Sequence, residues 1–270
     1  MLDLFQYSFV VRGIQAGLII GSIAPVIGIF LVLRKYSLIT DTLSHVSLAG
    51  IAVGLLLKIN PLITAIGASV IASLLIEKLR ISKRVDGESA LSLFLSGSLA
   101  LAIVLISLSG GFRVDLFNYL FGSITTVKES DIVIISILGA VVVSVIVLFY
   151  KEFVYVTFDE QAAKVSGIST KFFNFLLLIL TALTISLSIP IVGVLLISAL
   201  IVIPVISALQ FRTNFVKTIL IAEAYSLSSV LLGIICSFYC DVSTGGTIVL
   251  FTIAFFVLTL VLQSGRFKGK

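Results

Sequence analysis

Asp41 and His45 are the residues of this chain whose types and spacing are best suited to chemistry. They lie in residues 37–57, SLITDTLSHVSLAGIAVGLLL, an otherwise apolar stretch. They stand four positions apart, so on a helix their side chains share one face, with Cβ atoms about 5–6 Å apart. His45 is the only histidine among the 270 residues. A carboxylate and an imidazole in this arrangement could bind one divalent metal ion together.

The surroundings of the pair make a functional role the favoured interpretation. A charged side chain in the middle of a bilayer costs about 2.5–3.5 kcal/mol even on the mildest scale, so such residues usually mark the path of an ion or substrate. The alternative, a structural polar pair that braces neighbouring helices, stays open. Glu223 is the other acidic residue well inside an apolar run. It is predicted either as a third ligand or path-lining charge, or as a buried carboxyl group bonded to a neighbouring helix.

Composition indicates an integral membrane protein. Hydrophobic residues make up 59% of the chain and charged residues only 11%, and the mean hydropathy is +1.27. Apolar runs long enough to cross a bilayer recur from end to end. We therefore predict an all-α polytopic bundle of eight or nine transmembrane helices, forming a single transmembrane domain over residues 1–270. The candidate spans are 13–33, 38–57, 61–77, 90–109, 131–150, 172–190, 192–209, 217–240 and 246–263.

The basic residues orient these spans. With nine spans and the loop that holds Lys78, Arg80, Lys83 and Arg84 in the cytoplasm, most of the 18 basic residues fall on that side. The positive-inside rule favours such a bias. It predicts an N-terminus outside and a C-terminus inside. The net charge of +5 then reflects membrane topology, and no basic stripe interleaved with aromatic residues suggests binding to nucleic acid.

Two connecting segments contain sequence patterns that predict short helices or surface pieces instead of plain loops. The outer segment 110–130 contains DLFNYLFG, a short amphipathic piece that could lie at the membrane surface or dip into the bundle. The inner segment 151–171 predicts a short helix over about 159–165. Asp159 and Glu160 suit its N-terminus by the helix dipole, and Gly167 is a natural residue to end it. A capped cytoplasmic helix between two spans is typical of a docking element.

Motifs for catalysis are missing from the sequence. It has no G-x-x-x-x-G-K-[ST] phosphate loop, so we expect no ATP site of that type in this chain. It has no H-E-x-x-H and no G-x-S-x-G. We therefore expect a transporter subunit without an enzymatic activity of its own, and we set aside an intramembrane enzyme.

Several long motifs resemble one known family. The run LRKYSLITDTLSHVSLAGIAVG (33–54) is similar to the signature of the membrane permeases of bacterial zinc and manganese ABC importers, the ABC-3 group. The resemblance continues through 114–122, VDLFNYLFG, and 158–168, FDEQAAKVSGI. It extends to 192–208, VGVLLISALIVIPVISA, and 237–250, SFYCDVSTGGTIVL. The usual family text has a proline where Ala49 stands here, which should change helix geometry locally.

The resemblance implies a function and a set of partners. It implies a permease of the bacterial cytoplasmic membrane that pairs with a second protomer, a cytoplasmic ATPase dimer and an extracytoplasmic metal-binding protein. It maps the metal path onto Asp41 and His45, with Zn²⁺, Mn²⁺ or possibly Fe²⁺ as the transported ion and no permanently bound cofactor. It also implies that 158–168 is the helix that couples to the ATPase, with Asp159, Glu160, Ala162, Ala163 and Gly167 as its coupling residues. A stand-alone secondary metal transporter or channel remains the alternative, although it would not need such a helix.

Overall fold

The structure is a computed structural model that describes residues 6–82, 85–108 and 114–267. Two of the basic residues used above to orient the spans, Lys83 and Arg84, lie outside the described residues. The helices are α1 Ser8–Leu33, α2 Leu38–Leu57, α3 Pro61–Ser82, α4 Gly87–Leu108, α5 Val114–Phe121, α6 Glu129–Leu148, α7 Tyr150–Phe158, α8 Glu160–Val165, α9 Thr170–Val192, α10 Ile197–Leu209, α11 Phe215–Cys240 and α12 Thr244–Phe267, with one 3₁₀ turn at Ile124–Thr126.

Eight of the described helices are long and apolar enough to cross a membrane, and the predicted all-α polytopic fold is confirmed. The predicted span 192–209 instead becomes α10, which has only 13 residues. At 1.5 Å per residue it is about 20 Å long, shorter than the hydrocarbon core. The reason is Gly193, whose φ of +84° ends α9. The chain does not become helical again until Ile197.

Contacts between connecting segments divide the bundle into two ends. At one end Arg34, after α1, contacts Glu160 of α8 and Asn174 of α9. At the other end Asn60, before α3, donates a hydrogen bond to Asp131 of α6. We call the first the basic end and the second the opposite end. This grouping of loops is the one that the predicted topology requires, and the assignment of the basic end to the cytoplasm stays a prediction. The basic end carries Arg34, Lys35, Arg80, Lys164, Lys171, Arg212 and Lys217.

The DLFNYLFG segment dips into the bundle at the opposite end. Its last turn lies against the break between α9 and α10, where the backbone N–H of Val194 donates to the carbonyl of Tyr119 at 2.9 Å. Gly122 and Gly193 both have positive φ and approach each other backbone to backbone. A Cβ on Gly245, at the start of α12, would lie 2.0 Å from a carbonyl oxygen of α9. Only glycine fits such close contacts between three backbones.

Helix α7 was not predicted, and an aromatic cluster at the basic end holds it in place. Phe153 of α7 packs against Phe30 of α1 and Phe173 of α9, with ring centroids 5.7 and 5.4 Å apart. Phe158, the last residue of α7, contacts Phe215 at the start of α11. The spacing of Phe149, Phe153 and Val156 is helical, and that apolar periodicity is the signal that would have predicted α7. Because only one residue separates Phe158 from α8, the cluster also holds the start of α8 in place.

The contact between α1 and α10 gives a test of the packing. A Cβ on Gly28 would lie 2.1 Å from the carbonyl oxygen of Ile201, whereas nothing lies within 4 Å of a Cβ on Gly67. We expect Gly28→Ala to destabilise the purified protein by about 1–3 kcal/mol, the usual cost of overpacking. Gly67→Ala is the matched control and should not lower the midpoint of thermal unfolding. Equal midpoints for the two variants would contradict this packing.

Candidate metal site and docking helix

Helix α2 is fixed on one side by close contacts with α3 and α9. Cβ atoms on Gly50 and Gly54 would collide with the backbone of α3, so the two helices touch backbone to backbone. The hydroxyl of Ser186 on α9 forms hydrogen bonds with Ser47 at 3.2 Å and with Ser69 at 2.7 Å. All three hydroxyl-bearing residues are buried. These contacts set the rotation of α2 about its axis, and therefore the direction in which its polar pair faces.

Asp41 and His45 lie on the other face of α2, near the basic end. Asp41 is in the first turn, where the helix dipole favours a carboxylate. It lies close enough to His45 for electrostatic interaction with the ring. Within the described part of the chain, the Asp41 carboxylate makes no hydrogen bond or ion pair, and the buried Nδ1 atom of His45 has no hydrogen-bond partner. An unpartnered ring nitrogen beside a carboxylate is suited to bind a metal ion.

The face that carries this pair is only partly covered by the protomer itself. Asp41 and His45 are half-buried and Leu38 is exposed, while most residues between them are buried. Helix α10 packs against α2 and has a half-buried stripe of its own. That stripe consists of Ser198, Ala199, Val202, Ile203, Ile206 and Leu209. Asp41 and His45 therefore lie on a partly covered face of a helix long enough to span the membrane.

Glu223 does not join Asp41 and His45 within one protomer. Among the residues that the structure describes, no three His, Cys, Asp or Glu side chains come together as a group that could hold a metal ion. Glu223 is half-buried on α11, which packs against α1, α10 and α12. It lies about 12 Å from the basic end of its helix, and His45 lies about 10 Å along α2. The two residues are therefore at a similar distance from the basic ends of their helices, and the role of Glu223 stays a prediction.

The caps predicted for the short inner helix are present in α8. The side chain of Asp159 accepts a hydrogen bond from the backbone N–H of Ala162 at 2.8 Å, as an N-cap does. At the other end the N–H of Ile168 donates to the carbonyl of Ala163, and the N–H of Gly167 to that of Lys164. With a φ of +86° at Gly167, this is a Schellman motif.

Helix α8 does not expose the small residues that were predicted to dock on a partner. Ala163 is completely buried in the chain's own core, so it cannot contact a partner, and Ala162 is half-buried. The apolar residues that face solvent are Val165, which is 89% exposed, and Phe158, which is 65% exposed. The alanines position α8, and its flanking apolar residues are the surface available for docking.

Sequence reasoning also missed the partners of Glu160. Its carboxylate accepts a hydrogen bond from Asn174 at 2.9 Å and from Arg34 at 3.4 Å. Thus Glu160 contacts the chain's own helices α1 and α9. An asparagine in the apolar run KFFNFLLL was the available signal, since a buried amide normally requires partners.

Cys236 and Cys240 lie near the opposite end, on α11. Both are free, and their sulfur atoms are 3.9 Å apart. Asp41 and His45 are near the basic end, so the cysteines do not add ligands to that pair.

The site predicts a binding experiment. Asp41→Asn and His45→Gln keep side-chain size but each remove one ligand. We expect Zn²⁺ or Mn²⁺ binding to the purified protein, measured by titration calorimetry, to weaken by at least about tenfold, since even outer-shell partners of a ligand are worth about 10–100-fold. The control with both Cys236→Ser and Cys240→Ser should bind as the parent does. Loss of binding in the cysteine control alone would move the site to the opposite end.

The chain is similar to known membrane transport proteins over nearly its whole length. The zinc uptake membrane protein ZnuB of Haemophilus influenzae is 32% identical over 94% of this chain and 98% of its own length. The manganese transport membrane protein MntC of Listeria monocytogenes is 33% identical over 95% of this chain and 92% of its own. The solved structure of PsaBC from Streptococcus pneumoniae in complex with Fab has a TM-score of 0.85 and 28% identity, and the match covers 95% of this chain and 92% of that chain.

The family comparison covers nearly the whole sequence. The model of the ABC 3 transport family matches residues 6–263. That range includes the Asp41–His45 pair, the α9–α10 break and the capped helix α8. The chain therefore belongs to the ABC 3 transport family.

Proposed function

We propose that this chain is the membrane-spanning permease subunit of an importer for divalent metal ions, driven by a separate ATPase subunit. The observation that carries the proposal is the Asp41–His45 pair. Within the described residues the carboxylate and the buried ring nitrogen have no hydrogen-bond partner, and the pair lies on a partly open face of a membrane-spanning helix. Membership of the ABC 3 transport family and the relatives named for zinc and manganese transport support it. The location is the bacterial cytoplasmic membrane, with the basic end in the cytoplasm, the N-terminus outside and the C-terminus inside.

The open face supports an assembly of two protomers. A carboxylate and an imidazole exposed directly to lipid would be costly. A second copy is the occupant that best covers Asp41 and His45 on α2 and the half-buried stripe of α10. The path then runs along the dimer axis. At the opposite end a cavity of about 880 Å³ lies between α2, α5 and α6, bordered by Arg12, Lys58, Asn118 and Glu129. It lies where an extracytoplasmic metal-binding protein would deliver the ion.

Few protein ligands suit a transport site, because the ion must be held tightly enough to select and weakly enough to release. Asp41 and His45 take the place of part of the hydration shell of the ion. Glu223, at a similar distance from the basic end on α11, contributes a third ligand, the second carboxylate, along the path from across the dimer. One imidazole and one or two carboxylates per protomer fit Zn²⁺ as well as Mn²⁺ or Fe²⁺.

Helix α8 links this path to the ATPase. Asp159 caps it and Gly167 ends it, while Ala162 and Ala163 hold it against the permease. Phe158 and Val165 are left as exposed apolar anchors, which suits docking of a short helix in a groove of the ATPase. Movement of the ATPase subunits on ATP binding would then shift α8, and with it the helices that line the path.

Uptake into proteoliposomes tests the function. We expect ATP-dependent uptake of Zn²⁺ or Mn²⁺ when the permease is reconstituted with its ATPase and metal-binding protein, with Fe²⁺ as a competitor. Asp41→Asn and His45→Gln should lower uptake by at least about tenfold. They should leave ATPase association intact, since neither side chain forms a hydrogen bond or ion pair with α8 among the described residues. Uptake by the permease alone, driven by an ion gradient, would favour a stand-alone secondary transporter instead.

The exposed anchor at Val165 gives a second test. Val165→Asp places a charge on the surface proposed to dock, and desolvating an unpaired charge in an interface is costly. We expect the ATPase to be lost from the purified complex while the permease stays folded. Val242→Asp is the matched control, since Val242 is also exposed but lies at the opposite end. Retention of the ATPase by Val165→Asp would mean that α8 is only a connector.

A further inference from the structure

We propose that Arg34 is the positioning residue through which movement of α8 reaches the metal-binding face of α2. The inference rests on the proposed function and adds the route of coupling. The residues that carry it form what we call the basic-end network, which consists of Glu160, Arg34, Asn174, Tyr36, Arg80 and Glu77.

The first link joins α8 to the end of α1. Glu160 is the first residue of α8, and its carboxylate accepts from Arg34 and Asn174. The Arg34 side chain is only 6% exposed, and it also donates to Asn174 at 2.7 Å. Within the described ranges, Glu160 is the one acid that pairs with Arg34. Removing the partner of a buried charge is strongly unfavourable, so displacement of Glu160 obliges Arg34 to move.

The second link joins Arg34 to the start of α2 through Tyr36. The guanidinium groups of Arg34 and Arg80 lie 5.0 and 5.2 Å from the centre of the Tyr36 ring. Such cation–π contacts are favourable when the cations are partly desolvated. Arg80 also donates a hydrogen bond to the Tyr36 hydroxyl. The tyrosine ring is therefore held by both arginines.

The third link is the backbone that runs from Tyr36 into the site. The N–H of Tyr36 donates to the carbonyl of Leu31 at 2.8 Å, and the N–H of Ile39 donates to the carbonyl of Tyr36 at 3.0 Å. The turn is tight, with Lys35 at a φ of +58°. Because Asp41 is in the first turn of α2, a shift of Tyr36 is carried directly to the candidate ligand.

The network has a fixed side and a side that can move. Glu77 is completely buried on α3, and two hydrogen bonds of 2.7 Å join it to Arg80. By contrast, the Glu160 side chain is 45% exposed at the other margin. A cavity of about 520 Å³ adjoins Arg34, Tyr36, Glu77 and Arg80, so Arg34 and Tyr36 have space beside them for a second arrangement, while the two hydrogen bonds to Glu77 hold Arg80. Coupling between distant sites requires an element with two such arrangements.

A double-mutant cycle in proteoliposomes that contain permease, ATPase and metal-binding protein tests the inference. The readouts are ATPase association, metal uptake, and ATP hydrolysed per ion taken up. Glu160→Gln and Arg34→Gln should each retain the ATPase and its hydrolysis but lower uptake by about tenfold, within the range that mutations in coupling networks reach. The double variant should be no worse than the more affected single variant, because both remove the same link.

Controls separate coupling from simple bracing of the structure. Lys35→Gln, next to Arg34, and Gln161→Ala, next to Glu160, change exposed residues and should keep the parent ratio of ATP to ions. Arg34→Lys should restore uptake only in part, since lysine keeps the charge but lacks the planar fork. Glu160→Gln is the variant to rely on if Arg34→Gln does not fold.

Three results would overturn the inference. The first is an ATP-to-ion ratio in Glu160→Gln equal to that of the unmodified complex. The second is a loss of uptake in the double variant that equals the sum of the losses in the two single variants. The third is loss of the ATPase from Glu160→Gln, which would mean that Glu160 contacts the partner directly. Failure of the proposed function is distinguishable, because the unmodified complex would then take up no metal; that result would remove the basis of the coupling route as well.

Discussion

The hydrocarbon core of a bilayer offers no hydrogen-bond partners, so every polar group that enters it must be satisfied within the protein. This constraint explains why the described chain is helical and why its buried hydroxyl groups mostly bond to backbone carbonyls one turn earlier. It also explains the contact between Ser47, Ser69 and Ser186, where side chains on three helices satisfy one another. Buried polar groups that lack a hydrogen-bond partner within the protein are therefore the ones that require a functional explanation.

The break between α9 and α10 shows how an exception to regular helix is accommodated. Gly193 interrupts the helix, and the backbone groups released there bond to Tyr119 and Leu120 of α5. The dipping segment is thus a structural necessity of the break. The result is a short helix, α10, that packs against α2 without crossing the whole bilayer. Irregular backbone at membrane depth is tolerated where protein covers it, and transporters use such breaks near their binding sites.

The charged residues fall into two physical classes. Glu77 and Arg80 are paired with good geometry, and Arg34 is enclosed by Glu160, Asn174 and Tyr36. These groups hold the basic end together. The Asp41–His45 pair has no such partners within the described residues, although it lies deeper along its helix. Close contacts with α3 and α9 hold α2 while the face of Asp41 and His45 is only partly covered, which is the arrangement that the proposed ion site requires.

The sequence by itself determined the class of the protein, most of its spans and the pair at Asp41 and His45, because hydropathy and the spacing of rare polar residues are local properties. The caps of α8 could also be predicted from the sequence, since N-cap and C′ preferences depend on neighbouring residues only. Tertiary structure decided that 192–209 is a half-length helix, that DLFNYLFG dips inward and that Ala163 is buried while Val165 is exposed. It also brought Glu160 to Arg34 and kept Glu223 apart from His45 within one protomer. These outcomes depend on which residues distant in sequence meet in space, and neither composition nor periodicity encodes that.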